Sequence, residues 1–325
     1  MNQRLHRAGM WALAVTGVLT LGAWLALRIG GYPAELQAAQ VRLAGSELVQ
    51  TPCGPIEYKA VGKGAAVLVA HGAGGGFDQS LDFAGPLASR GLKIIGVSRF
   101  GYLRSSLPED ASAEHQANAY VCLMDALGLE RASIIGASAG APSALQFVLR
   151  HPERAEKLVL LVPALYTPKD PGAPVLDIPP GVPAVVGTLL QSDLLYWTLA
   201  KAAPHLLIGT ILGTPPEQFD QAEQAERARV TTMISHILPV SARRDGLMND
   251  ARVIANMPRY ELERVNTPTL ALSVADDRYG TYAAAKYTAD HIAGARFVGY
   301  PAGGHIWIGH HAEALTALGD FLSGA

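Results

Sequence analysis

Cysteine, charge and aromatic residues are all scarce in this chain. The two cysteines among 325 residues, Cys53 and Cys122, form no CxxC pair and join no Cys/His cluster, which argues against a structural zinc. Cys53 falls in a turn and Cys122 inside a helical pattern, so two separate buried thiols are expected rather than a disulfide. Charged residues are 17% and the formal net charge is −2, leaving no basic field for nucleic acid. No internal repeat or low-complexity tract is present, and the 34 glycines and 21 prolines are aperiodic, which excludes a fibrous repeat. What the chain does have is apolar side chains, 49% of the total, enough for a large core.

The first part of that apolar content is concentrated. Arg4, His6 and Arg7 precede an uncharged stretch from Ala8 to Leu27, closed by Arg28. As a helix these 20 residues would reach about 30 Å, the thickness of a bilayer's hydrocarbon layer. Trp11 and Trp24 lie near its ends, as interfacial aromatics do. A signal peptide also starts basic, but its apolar region runs about 7–15 residues to a small-residue cleavage site. No A-x-A follows here. Residues 1–28 are therefore expected to be a membrane anchor rather than a signal segment. The short N-terminal tail places the large domain on the exported side, although basic residues on the two flanks nearly balance.

Residues 29–40 read as a linker rich in Gly, Pro and Ala. Val41 to Gln50 and Gly54 to Val61 then look like a hairpin. Continuous apolar runs follow at Ala65–Ala70, Leu92–Val97, Ala132–Ile135, Leu158–Val162, Thr269–Val274 and Arg296–Tyr300, as strands buried on both faces require. Helical patterns lie between them at Leu81–Arg90, Ala113–Leu127, Ala141–His151, Tyr282–Ile292 and His311–Leu322. This alternation predicts an α/β fold with a mostly parallel sheet. Residues 166–266 lack strand signals and carry helical runs at Val185–Leu207 and Val230–Leu238. They are expected to form a helical cap, splitting the core into residues 41–165 and 267–325. Glu217, Asp220, Glu223 and Glu226 sit three apart on what reads as one solvated helix face, joined by no His or Cys, so no metal site is expected.

The chemistry is carried by three short segments. Gly136-Ala137-Ser138-Ala139-Gly140 is a G-x-S-x-G pattern between a strand and a helix. A serine held at so tight a turn needs glycine two residues away on either side, and the next helix's N-terminus favours developing negative charge. Ser138 is thus the candidate nucleophile. After the cap, Ala275-Asp276-Asp277-Arg278 ends a strand, and one carboxylate there would orient a histidine. Asp277 is preferred, with Asp276 capping the turn. Pro301-Ala302-Gly303-Gly304-His305 follows the last strand, and His305 is the candidate base. His291 lies on a helix before that strand, while His310 and His311 begin the final helix.

Ser138, Asp277 and His305, the His71-Gly72-Ala73-Gly74-Gly75-Gly76 loop and the cap insertion together resemble the α/β-hydrolase superfamily. The segments 275–280 and 304–311 look most like its cofactor-free haloperoxidase, esterase and lactonase-like branch. The resemblance spans Val41 to Leu322. It implies a serine hydrolase using no cofactor and no metal, with an oxyanion hole formed by the N–H groups of Ala73 and Ala139. His71, preceding the serine, is expected to be structural. The loop after the second core strand often begins with aspartate in this superfamily, and here it begins Ser98-Arg99. Arg99 is expected to make a structural ion pair rather than hold a substrate carboxylate. The expected partner is a small molecule, a hydrophobic acyl or aryl ester or a lactone. C–C bond hydrolysis and perhydrolysis share the triad and stay open.

Overall fold

The computed structural model describes residues 30–168 and 191–324. Among them eight strands form one sheet: β1 (Glu47–Thr51), β2 (Gly54–Val61), β3 (Ala65–Ala70), β4 (Leu92–Val97), β5 (Ala132–Ala137), β6 (Ala155–Leu161), β7 (Thr269–Val274) and β8 (Arg296–Tyr300). The spatial order is β1-β2-β4-β3-β5-β6-β7-β8. Neighbours from β4 to β8 pair in parallel, and β2 runs antiparallel to both of its neighbours.

The helices in the first half are α1 (Tyr32–Leu43), α2 (Phe77–Ala84), α3 (Ala113–Ala126) and α4 (Ala141–Arg150). Between β6 and β7 come α5 (Asp193–Ala202), α6 (Pro204–Thr210), α7 (Pro216–Gln221), α8 (Gln224–His236) and α9 (Arg244–Ala255). The chain closes with α10 (Thr281–His291) and α11 (His311–Ser323). Successive strand residues feed opposite faces of the sheet. Leu68, Ile134 and Leu160 pack with α3, α4 and α10, while Val67, Val69, Ile135 and Leu161 pack with α2 and α11. Strands apolar at every position are what two covered faces demand. A third cluster, with Tyr196, Trp197, Ile208, Val230 and Ile234, is the core of the helices between β6 and β7.

Several expectations fail, most of them through a contact distant in sequence. The expected linker and the start of the hairpin are instead α1, with Pro33 in its first turn. It is a helix because it has a surface to rest on: Ala39 is buried in the third cluster and Tyr32 stacks edge-on against Trp197. The expected helix Leu81–Arg90 is α2 followed by a 3₁₀ turn over Gly85–Arg90, where Pro86 lacks the N–H an α-helix would use. The cysteines are not free thiols. Cys53 and Cys122 form a disulfide, because the β1–β2 turn lies against α3. Of the acidic residues of the cap, Glu217 and Asp220 lie on α7 and Glu226 on α8, with Glu223 at the N-cap position of α8, and a histidine does join them, Asp220 bonding His205 at 2.8 Å. The expected span Ala8–Leu27 and the start of the Val185–Leu207 run lie outside the described residues. Among the described residues no helix is long and apolar enough to cross a membrane.

Candidate active site

β5 ends at Ala137, and the chain turns through Ser138–Gly140 into α4. Ser138 itself has φ +49°, the left-handed region that side chains other than glycine rarely adopt. Sterics explain the two flanking glycines. A Cβ on Gly136 would lie 2.6 Å from the Ala144 Cβ, and one on Gly140 would lie 2.3 Å from the Ala70 carbonyl oxygen. The turn can be this tight because those positions carry no side chain.

Three groups separated by 167 and 28 residues meet above this turn. His305 Nε2 lies 2.9 Å from Ser138 Oγ, and His305 Nδ1 lies 2.8 Å from Asp277 Oδ2. Asp277 also accepts from the Tyr279 N–H at 2.8 Å and from the Thr281 hydroxyl. Burial pushes this carboxyl up, but the bonds from His305, Thr281 and Tyr279 outweigh it and hold the group below the usual aspartate range. An ionised Asp277 keeps a proton on Nδ1, so Nε2 is free to take one from Ser138. Asp276, next to it, serves the same loop differently. It accepts from the N–H groups of Gly304 (2.7 Å) and Gly303 (3.3 Å), shaping the turn that presents His305.

The cap reinforces this loop from the other side. The Gly213 carbonyl accepts from the N–H of Arg278 at 3.0 Å and of His305 at 3.4 Å. The Tyr279 hydroxyl donates to the Thr210 carbonyl at 2.7 Å, and its ring stands edge-on to His305. Replacing Asp277 by Asn is expected to lower turnover about 10⁴-fold by favouring the wrong imidazole tautomer. Because folding depresses the Asp277 pKa, its stabilising contribution is present at neutral pH and lost as pH falls through the acid range. The Asn variant should therefore show a shallower acid decline in melting temperature, measured by differential scanning calorimetry.

The glycine-rich loop after β3 is held by hydrogen bonds from three of its own N–H groups. The N–H of Gly72 donates to Gln79 Oε1 (2.9 Å), that of Gly74 to the Tyr102 hydroxyl (3.2 Å), and that of Gly75 to the Gly72 carbonyl (3.3 Å). Among the described residues the Ala73 N–H has no internal acceptor, and it borders the cavity beside Ser138, as Ala139 does. His71 is fully buried. Its Nε2 accepts from the Arg99 N–H at 3.0 Å, so Nδ1 carries the proton and donates to the Gly72 carbonyl at 2.7 Å. Burial, and then the charge of Arg99, hold its pKa well below the usual histidine value, so the ring stays neutral.

Two buried ion pairs flank this loop, and neither was located in the sequence. Arg99 pairs with Asp250 of α9, which gives the expected structural ion pair its partner. Arg243 pairs with Asp78 of α2, and Arg42 of α1 also reaches Asp78. The place of the missing aspartate at Ser98 is filled from β2: buried Glu57 accepts from the Ser98 hydroxyl at 3.0 Å and from Arg104 Nε at 2.7 Å.

Ser138 and His305 open into a cavity of about 590 Å³, whose lining is dominated by apolar side chains. The core supplies Phe83, Val162 and Trp307, and the cap supplies Leu212, Met233 and Ile254. A doubly wound sheet with a Ser–His–Asp chain of hydrogen bonds beyond its carboxyl edge, under an apolar cap, has the form of a hydrolase. The chain belongs to the α/β-hydrolase fold family, whose model matches residues 65–311.

Among its relatives, an uncharacterized hydrolase of Bacillus subtilis, YcgS, is 28% identical over 282 residues, covering 83% of this chain and 95% of that one. The 2-hydroxy-6-oxo-6-phenylhexa-2,4-dienoate hydrolase of Comamonas testosteroni is 35% identical over 113 residues, covering 33% of this chain and 40% of that one. An α/β hydrolase fold protein from Nakamurella multipartita superposes with a TM-score of 0.70 at 28% identity, covering 86% of this chain and all of that one (100%). The protein is an enzyme of the hydrolase class.

Proposed function

We propose that the protein hydrolyses a carboxylic ester or lactone with hydrophobic acyl or aryl groups, through an acyl-enzyme on Ser138. The observation that carries this is the continuous Ser138–His305–Asp277 hydrogen-bond chain at the floor of an apolar cavity. His305 takes the Ser138 proton as Oγ bonds to the substrate carbonyl carbon. The negative charge on the carbonyl oxygen is met by the N–H groups of Ala73 and Ala139. His305 then returns the proton to the leaving alkoxide, and water repeats the sequence to release the acid.

The dienoate substrates named for some relatives support a second reading, hydrolysis of a C–C bond beside a ketone with the same three residues. A panel of p-nitrophenyl esters of rising chain length, with lactones and a 2-hydroxy-6-oxo-dienoate, separates the two. The expected result is highest kcat/KM on medium or aryl esters, since each buried methylene is worth about 0.8 kcal/mol. Turnover of the dienoate alone would overturn the ester reading.

The uncharged stretch Ala8–Leu27, with Trp11 and Trp24 near its ends, supports a tether to a membrane. Activity is then expected in the membrane pellet after an alkaline carbonate wash. Recovery in the supernatant would reject the tether.

A further inference from the structure

The Arg99–Asp250 pair does more than join the cap to the core. Arg99 donates from Nη1 and Nη2 to the two carboxylate oxygens of Asp250, at 2.6 and 2.7 Å. The same guanidinium donates from Nε to the His71 carbonyl at 2.9 Å and from Nη2 to the Gly72 carbonyl at 3.3 Å. Tyr102 closes the arrangement, its hydroxyl donating to Asp250 at 2.5 Å and accepting from the Gly74 N–H at 3.2 Å. Arg99 and Asp250 are 5% and 4% exposed, so little water competes for these bonds.

The position of Ala73 gives this network its meaning. The Gly72 carbonyl and the Ala73 N–H belong to one rigid, trans peptide unit, in which they point in opposite directions. Whatever fixes the carbonyl therefore aims the N–H. Arg99, the His71 ring and the Gly75 N–H all hold the Gly72 carbonyl, while Tyr102 holds the next N–H along the chain. Among the described residues the Ala73 N–H is left without an internal acceptor, and Ala73 lines the cavity beside Ser138.

We infer that Arg99 and Asp250 are positioning residues that aim the Ala73 N–H at the oxygen of an acyl group on Ser138. Because Asp250 comes from α9, seating the cap and completing the oxyanion site are one event. The inference rests on Ser138 as nucleophile and Ala73 as oxyanion donor, but on no particular substrate.

The test uses the full chain and a fluorophosphonate. Ser138 Oγ bonds to phosphorus as His305 Nε2 takes its proton, fluoride leaves with the P–F electron pair, and the phosphonyl oxygen takes the oxyanion position. Removing one such donor typically costs about 10²–10³ in rate. Arg99→Lys, which keeps the charge but loses the fork, is expected to slow phosphonylation about 10–100-fold by misdirecting that donor. On an ester, kcat should fall by a similar factor while KM moves less than about threefold, a split that marks transition-state binding.

Should Arg99→Lys not fold, Tyr102→Phe, which frees Asp250 and Gly74 together, is expected to give a smaller loss of the same kind. Unchanged phosphonylation in a folded variant overturns the inference. So does a loss carried wholly by KM, which would assign Asp250 to the shape of the cavity. Wild type that labels with the probe but turns over no ester would reject the ester reading alone. Folded wild type that does not label would reject Ser138, and the inference with it.

Discussion

Ser138→Ala is expected to lower kcat by about 10⁴–10⁶-fold and to abolish fluorophosphonate labelling, while the fold stays intact. The size follows from cooperation: once the Ser138 hydroxyl is gone, His305 has no proton to take and Asp277 orients it to no purpose, and losses at such sites are far from additive. The residual rate would come from the oxyanion donors and substrate binding. Alanine suits the position sterically, because the φ of +49° at Ser138 is already imposed by the strand–helix turn and its flanking glycines. Thermal unfolding should therefore shift little. Steady-state kinetics on the best ester, with calorimetry alongside, checks both halves. An active, folded alanine variant would remove Ser138 from the mechanism.

Arg243→Met is expected to have the largest effect on stability, about 3–5 kcal/mol, because it leaves a buried carboxylate without its main partner. Arg243 is fully buried. It donates to the carbonyls of Ile237 (3.0 Å), His236 (2.8 Å) and Gly75, and to both oxygens of Asp78 (3.1 and 2.7 Å). Burial pushes the Asp78 carboxyl up, and Arg243 followed by Arg42 more than reverses it, so the folded pKa is depressed. The stabilisation is thus present at neutral pH and lost as pH falls through the acid range. The gap between wild type and variant should narrow in the same direction. Urea unfolding at neutral and acid pH measures it, and a gap independent of pH would contradict the ion-pair account. The double variant Arg243→Met, Asp78→Leu should lose less than the two single changes added together.

The contrast between these two sites explains what could be read in advance. Ser138 announces itself because the constraint is local: strand, turn and helix are contiguous, and the glycines that permit the turn stand two residues away. Asp277 and His305 were legible for a related reason, each closing a short loop at the end of a run of apolar strand residues. Asp277 is the carboxylate that reaches His305, and Asp276, read as a turn cap, bonds the Gly303–Gly304 turn across 27 and 28 residues, a partner no local pattern names.

Arg243 and Asp78 stand 165 residues apart and Arg99 and Asp250 stand 151 apart; an ion pair was expected at Arg99, but nothing near it in sequence names Asp250 as its partner. The disulfide joins residues 69 apart, between a turn and a helix that reveal nothing of each other in sequence. Helix α1 looked like a linker because its stability comes from the cap it rests on, not from its own periodicity.

By itself, then, the sequence determined the alternation of strands and helices, the serine turn and the loops that carry Asp277 and His305. These are set by backbone sterics and by apolar runs within a few residues. The tertiary structure alone decided which charges are buried and with what partners, how the cap is tied to the glycine-rich loop, and which way the Gly72–Ala73 peptide is held. Those outcomes depend on where distant segments exclude water, and a charge becomes structural only after another segment has taken its solvent away.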